Sequence, residues 1–299
     1  MSGGILATLN FLVKFLRFLP HKYALTFGRI TGRLLRLILW RKTDRCEARC
    51  VMSLGVGVTV SREIIRGSFM NLGMSAVEFI RLPKIISRIN ELVAFPEDSI
   101  NLLNSALSRG KGVILMTSHM ANWELAAARV IHEGFPLHAV YTPQSDRTAE
   151  SIIMGIRENA SGMSMIDSNK GLREIFRVLR AGGIVVIMQD LDARKDGIIT
   201  DFFGIPASTH DGIVKLYRKF HCPVIPVQCV RDKDNPSHHS MIMQCILSDM
   251  KDADGRAFGE DMQGSLRMCN KVIEGWIKER PELWLWLLDR WEYTLGKNI

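Results

Sequence analysis

The chain has 299 residues, 47% of them hydrophobic, which is enough to bury one large core and too apolar for a disordered chain. Its net charge of +8 sits entirely at one end: residues 1–50 hold ten Lys and Arg against Asp44 and Glu47, and the rest is balanced. No linker-like stretch or internal repeat divides it, and its six cysteines (46, 50, 222, 229, 245, 269) lack zinc-ligand spacing and read as reduced cytosolic thiols.

Residues 4–19 are almost all apolar, but Asn10, Lys14 and Arg17 fall at i, i+4 and i+7 and form one narrow polar stripe. Residues 24–40 repeat the device with Arg29, Arg33 and Arg36. The pattern predicts two basic amphipathic helices joined near Pro20, with apolar faces in the acyl boundary of an anionic membrane and arginines at lipid phosphates. Packing of these helices on the protein's own core, with arginines in solvent, is the alternative. Neither segment has 18 apolar residues free of charge, so neither reads as a spanning helix, although a short tilted insertion of 4–19 stays open. Lys14 and Arg17 also interrupt any signal-peptide core. A nucleic-acid arm does not fit the apolar set Phe11, Leu12, Phe15, Leu16, Phe18 and Leu19, and no nucleic-acid motif is present. We therefore divide the chain into membrane-anchoring helices at 1–50 and a single α/β domain at 51–299.

The run Val113, Ile114, Leu115, Met116, bounded by Gly112 and Thr117-Ser118, reads as a strand buried on both faces. From about Asn122 the pattern turns helical and closes at Gly134 before Pro136, leaving His119 in the connection and Glu124 in the first helical turn. Inside one helix the two would lie about 140° apart and could not meet. With His119 in the loop and the helix capped by Ser118 or Asn122, the chain can fold back so that the Glu124 carboxylate orients the imidazole and His119 abstracts a proton. A satisfied loop histidine beside a favourable first-turn acid is equally compatible with the spacing.

Downstream, strand-like runs at 137–142, 162–166, 183–189, 223–230 and 240–247 are separated by helical stretches near 146–159, 169–181 and 208–220. That alternation predicts an α/β fold, a central mostly parallel or mixed sheet covered by helices on both faces. Functional groups in such sheets gather at the carboxyl ends of strands, where His119, Asp190 and, late in a helix, Arg157 fall. Residues 190–197 form a charge-rich loop. Residues 201–209 read as a turn leading into a helix capped by Ser208 or Thr209. Three tryptophans at 284, 286 and 291 read as core or membrane-interface packing, with the lining of an acyl path as the alternative.

Five ordered blocks now resemble the lipid A biosynthesis lauroyl/myristoyl acyltransferases, within the lysophospholipid acyltransferase superfamily, over nearly the whole length. They are Pro20…Gly28-Arg29…Gly32-Arg33; His119-Met120-Ala121-Asn122-Trp123-Glu124-Leu125, the H-x4-D/E signature; Arg157 after it; Asp190…Gly197…Phe202-Phe203-Gly204-x-Pro206-Ala207; and Pro281-Glu282-x-Trp284-Leu285-Trp286 with Arg290-Trp291. The chain departs from the family pattern at Leu191, where Asp-Gln is common, and at Leu288-Asp289, where basic residues are usual.

The resemblance implies a glycerolipid acyltransferase-like fold and a membrane-bound O-acyltransferase, placed on the cytoplasmic face of a bacterial inner membrane through its N-terminal helices. The acceptor would be a glycolipid hydroxyl, foremost a lipid A precursor, with phosphatidylinositol mannoside or a lysophospholipid as alternatives. The donor would be a thioester of acyl carrier protein or coenzyme A, with no further cofactor, no metal and no covalent acyl-enzyme. His119 would be the base and Glu124 its partner. Arg157 would face an oxyanion or acceptor phosphate, and Asp190 would position Arg157 or an acceptor hydroxyl. Asn122 and Arg194 are further substrate-binding candidates. Anionic lipids, the glycolipid and the acyl carrier are the implied partners, and nucleic acid is not among them. A thioesterase or a non-catalytic membrane scaffold are the competing classes; no G-x-S-x-G elbow supports serine hydrolysis.

Overall fold

A computed structural model describes residues 3–143, 146–168 and 171–296, with side chains from residue 11 onward except 147–149. Four helices come first: α1 Gly3–Phe18, α2 His21–Ile38, α3 Trp40–Leu54 and α4 Val58–Ile85. The short α5 Ile89–Leu92 leads into β1 Val93–Ala94 and α6 Glu97–Leu107. Strands and helices then alternate: β2 Val113–Thr117, α7 Trp123–His132, β3 Leu137–Tyr141, α8 Arg147–Ser161, β4 Ser164–Asp167, α9 Leu172–Arg180 and β5 Ile184–Met188. A hairpin of β6 Ile198–Phe202 and β7 Ile205–Thr209 precedes α10 Gly212–Phe220, β8 Val224–Pro226, β9 Gln228–Arg231 and β10 His239–Ile242; α11 Met262–Glu279 and α12 Glu292–Leu295 complete the order.

The central sheet has the order β4-β3-β5-β2-β8 and every pairing in it is parallel. Its middle strands β2 and β5 read VILMT and IVVIM without alternation, because helices cover both faces and no position can be left polar. Right-handed crossovers put α7 and α8 on one face, and α9 and α10 on the other. Side chains agree: Tyr141 of β3 meets Glu150 of α8, while His138, one residue out of phase, faces Glu174 of α9. The apolar run 223–230 breaks at Val227, so that β8 joins the central sheet and β9 turns away to pair with β10 and, beyond it, β1.

The expected helix cap at Ser208 or Thr209 is corrected. Both residues are buried in β7, and α10 starts later, after Asp211. The reason is the Phe203-Gly204 pair, which takes φ of +60° and +74° and so closes a two-residue hairpin whose twist suits paired strands.

At the N-terminus, α2 has three distinct sides. Gly28 and Gly32 bring its backbone onto α4: a Cβ at Gly28 would lie 2.6 Å from the Gly73 carbonyl oxygen, and one at Gly32 or Gly73 would press harder still on the facing backbone. A second side exposes Tyr23, Ile30, Leu34, Leu37 and Ile38. The arginines differ from expectation: Arg17 donates through Nε to the Ile80 carbonyl (2.9 Å), Arg33 to Met70 Sδ (3.0 Å), and Arg36 pairs with Glu47 (2.8 Å), because α4 and α3 lie within their reach. Asn10, the start of the stripe, falls outside the described side chains. Among the described residues no helix is long and apolar enough to cross a membrane.

The long α4 also carries a buried polar stripe, Ser68, Asn71, Ser75 and Glu78, at the i, i+3, i+7, i+10 spacing of one helix face. Glu78 receives Arg231 of β9 on both carboxylate oxygens (2.9 and 2.7 Å), His239 of β10 (3.2 Å) and the Asn122 amide (2.8 Å). Burial disfavours its charge, but Arg231 and the other donors outweigh that and hold the carboxyl well below the usual range. His239 is held below its ordinary value, burial outweighing the attraction of Glu78. His21 and His210 are also held down, primarily by burial.

Two outcomes follow from this packing. Gly73→Ala overpacks the α2–α4 crossing and lowers stability by about 1–3 kcal/mol, read as a shift in the denaturant midpoint. The three depressed histidines bind fewer protons folded than unfolded, so their contribution is present above about pH 6.5 and is lost as pH falls below it. Urea titrations at pH 7.5 and 5.5 should give a lower midpoint at pH 5.5, and His239→Gln should narrow the gap.

Candidate active site

The strand β2 delivers His119 two residues past its last residue, Thr117, and β5 delivers Asp190 two residues past Met188. Thr117 and Met188 are partners in the parallel register, so the two side chains emerge beside each other at the carboxyl end of the sheet. His119 Nδ1 lies 2.8 Å from Asp190 Oδ1, and the His119 backbone N–H donates to Oδ2 at 2.7 Å. Trp284 Nε1 donates to the same Oδ2 at 2.9 Å. Asp190 is fully buried; burial pushes its pKa up, but the three donors, the His119 imidazole foremost, prevail and hold it below the usual carboxylate value. An ionised Asp190 can only accept, so Nδ1 carries the proton and the lone pair resides on Nε2.

Glu124 is not the partner of His119, and the expected pairing is corrected. The ring of His119 meets Trp123 edge-on with centroids 5.0 Å apart. Glu124 instead takes Arg157 of α8 in a fork, Nη2 to Oε1 at 2.5 Å and Nε to Oε2 at 3.1 Å, and accepts Trp123 Nε1 at 3.2 Å. Asp190 therefore does not position Arg157 either: two acids and two bases are present, paired crosswise to the expectation. The left-handed turn at Ala121, φ +49°, sends α7 away from the imidazole, whereas the sheet register brings Asp190 to it.

Asn122 and Arg194 are corrected as well. Asn122 is buried and caps α7, its Oδ1 accepting the Leu125 N–H at 3.2 Å while its amide reaches Glu78. Arg194 lies on the surface in a 3₁₀ turn and pairs with Glu292 at 2.8 Å. Neither lines the cavity.

That cavity has a volume of about 950 Å³, at the upper end of the ~300–1,000 Å³ usual for ligand pockets. His119, Glu124 and Arg157 stand in its wall, which is otherwise largely apolar, with Val186, Met188 and Phe176 among its residues. An imidazole in the wall of a largely apolar cavity, beside a half-buried guanidinium, is a constellation that can take a proton from a hydroxyl and stabilise the charge that develops at a carbonyl.

A family model described as bacterial lipid A biosynthesis acyltransferase matches residues 4–293. The chain belongs to the bacterial lipid A biosynthesis acyltransferase family. Its relatives include a lipid A biosynthesis palmitoleoyltransferase of Escherichia coli, 26% identical over 280 residues, 92% of this chain and 86% of the relative. A lipid A biosynthesis acyltransferase of Haemophilus influenzae is 23% identical over 214 residues, 70% of this chain and 61% of the relative. A phosphatidylinositol mannoside acyltransferase of Mycobacterium tuberculosis is 26% identical over 165 residues, 51% of this chain and 49% of the relative. The chain thus spans less than two thirds of the Haemophilus relative and about half of the mycobacterial one.

In this acyltransferase-family chain the C-terminal tryptophan block is core and site support at once. Trp284, Trp286 and Trp291 are buried. Residues 283–285 run antiparallel to the His119 loop: Ala121 N–H donates to the Leu283 carbonyl (2.9 Å), Leu285 N–H to the His119 carbonyl (3.0 Å), and Met120 bridges Trp284. Ser75 Oγ donates to the Ala121 carbonyl from the other side at 2.8 Å. Behind Asp190, Arg290 is buried against Ser208 and Thr209; burial pushes its guanidinium down to about 10, with Asp190 and Asp192 opposing. Sequence reading missed the link from Trp284 to Asp190 and the whole α4 stripe. The first has no sequence signal, since 94 positions separate the two; the second was visible as polar residues at helical spacing.

If Asp190 fixes the tautomer, Asp190→Asn removes about 10²–10⁴-fold of turnover while leaving the fold. Trp284→Phe deletes one hydrogen bond to a charged group and gives a smaller loss, about tenfold, in the same assay.

Proposed function

We propose that this protein transfers a fatty acyl chain from an acyl thioester, of acyl carrier protein or coenzyme A, to a hydroxyl of a glycolipid of the lipid A precursor type. The observation that carries the reading is the His119–Asp190 pair, a buried carboxylate holding Nδ1 so that Nε2 is the basic nitrogen at the wall of an apolar cavity. Nε2 takes the hydroxyl proton as the oxygen attacks the thioester carbonyl. The resulting imidazolium is stabilised by Asp190 and then returns its proton to the departing thiolate, so that a C–O bond forms as the C–S bond breaks. Arg157, whose Nη1 has no protein partner among the described residues, faces the oxyanion or an acceptor phosphate, and Glu124 holds its guanidinium in place.

The N-terminal helices fit this reading. The exposed apolar side of α2, with Phe11, Phe15 and Phe18 of α1, suits burial at the acyl boundary of the cytoplasmic leaflet of a bacterial inner membrane, where the acceptor resides and a cytoplasmic thioester can reach it. A surface-lying anchor is favoured over a spanning one, since no described helix reaches spanning length and apolarity together.

The test is to give the purified protein, in mixed micelles, labelled acyl thioesters with a lipid A precursor, a phosphatidylinositol mannoside or a lysophospholipid, and to identify products by mass spectrometry. We expect an ester on the lipid A precursor and a fall of at least ~10²-fold in His119→Ala. Undiminished transfer in that variant would overturn the mechanism, and acyl release that ignores the acceptor would assign a thioesterase instead.

A further inference from the structure

The cavity is lined from both faces of the central sheet, so it can be divided into one lobe per face, with His119 at the strand ends. One lies under α10 and α9 and is lined by Phe176, Leu216 and Lys219; its rim is open, with Leu172 63% exposed. The other lies under α7 and α8, and the sheet register defines its floor. Val186 of β5 is the partner of Leu115 in β2 and of Ala139 in β3, and Ala139 is the partner of Met165 in β4. In-register parallel residues share a face, so Leu115, Val186, Ala139 and Met165 form one row across the sheet on the side of Tyr141, the side covered by α8. Val186, Ala139 and Met165 all line the cavity, and Ala127 of α7 lines it from above.

That row sets the length of a path. Three inter-strand steps of about 4.8 Å separate β2, which bears the His119 loop, from the edge strand β4, a span of roughly 14 Å. Along it the side chains run Val, Ala, Met. The small residue in the middle keeps the path open across β3, and the long one at the edge strand stands at its far end with buried Met163 beside it. An alanine in a row made otherwise of Leu115, Val186 and Met165 leaves volume where a larger side chain would fill the core.

We propose that the lobe under α7 and α8 receives the acyl chain being transferred, and that Ala139 admits it across β3 while Met165 limits its length. The inference rests on the acyl-transfer reading above. A chain held in a groove of fixed length gains with each methylene that fits and nothing from one that does not, so selectivity resides in the residue that ends the groove.

The experiment is a competition among acyl thioesters from laurate to palmitate, with one acceptor, using the full chain and reading product ratios by mass spectrometry. Ala139→Leu should move the preference toward the shorter donors by at least ~10-fold in the ratio of kcat/KM values, and Met165→Ala should move it toward the longer ones. Because the ratio is internal to each preparation, partial misfolding does not shift it, and Met165→Phe, which should shorten the preferred donor, covers the case in which Ala139→Leu does not fold. An unchanged length profile in the folded variants overturns the proposal. So does a profile that shifts only when the acceptor's own acyl chains are varied, since the lobe would then belong to the acceptor. Failure of acyl transfer itself is distinct, because the unmodified protein would then yield no ester from any donor.

Discussion

Parallel pairing of β2 with β5 places Thr117 opposite Met188, and from that register the chemistry of the molecule is built. Each strand then contributes the residue two positions on, which sets the imidazole beside the carboxylate. The carboxylate is fully buried and would be unfavourable there alone, but an imidazole N–H, a backbone N–H and an indole N–H satisfy it. A one-residue slip of β5 against β2 would carry Asp190 to the other side of the pleat and leave it buried with no partner, so the same burial that tunes the acid also penalises the wrong register.

The second structural theme is the helix α4, which touches everything the site needs. On one side its Gly73 accepts the backbone of α2. On another its polar stripe grips the His119 loop through Ser75 and the α7 cap through Glu78 and Asn122. Ser68 reaches the Trp284 carbonyl at 2.5 Å, so the C-terminal strap is tied to the same helix. Helix α2 and the His119 loop are thus held by separate patches of one helix. A buried ion pair such as Glu78–Arg231 adds little net stability, but breaking it leaves an uncompensated charge, which makes the arrangement of these elements hard to vary.

Much of this was legible beforehand, and the failures have a common cause. Continuous apolar runs announced β2 and β5, and Asn122, Gly134 and Pro136 bounded α7 within one or two residues. His119, Arg157 and Asp190 were singled out as strand-end or helix-end charges, but their partners were misassigned because spacing along the chain favours near neighbours, and Glu124 is near. The better signal was parallel rather than local: Gly112 and Gly183 open the two apolar runs, and His119 and Asp190 each fall seven positions later, as two strands in register require. The hairpin at 198–209 was missed because Ser208 and Thr209 resemble a cap, while the decisive residues were Phe203 and Gly204. Asn122 attracted a substrate role because it lies within the signature, yet its capping geometry already accounts for it.

The strap formed by residues 283–285 has a temporal side. It lies far downstream of the loop it closes, with Trp284 joining Asp190 across 94 positions and Trp286 accepting the Cys46 thiol across 240. On a ribosome helices α1 to α3 emerge well before the indole that completes the carboxylate's set of donors. The exposed apolar faces of α1 and α2 are therefore made before the carboxylate has all its donors, and a chain cut short ahead of Trp284 would leave the buried Asp190 one donor short. Placing the closing hydrogen bond so far downstream ties the finished His119–Asp190 pair to the synthesis of the tryptophan block.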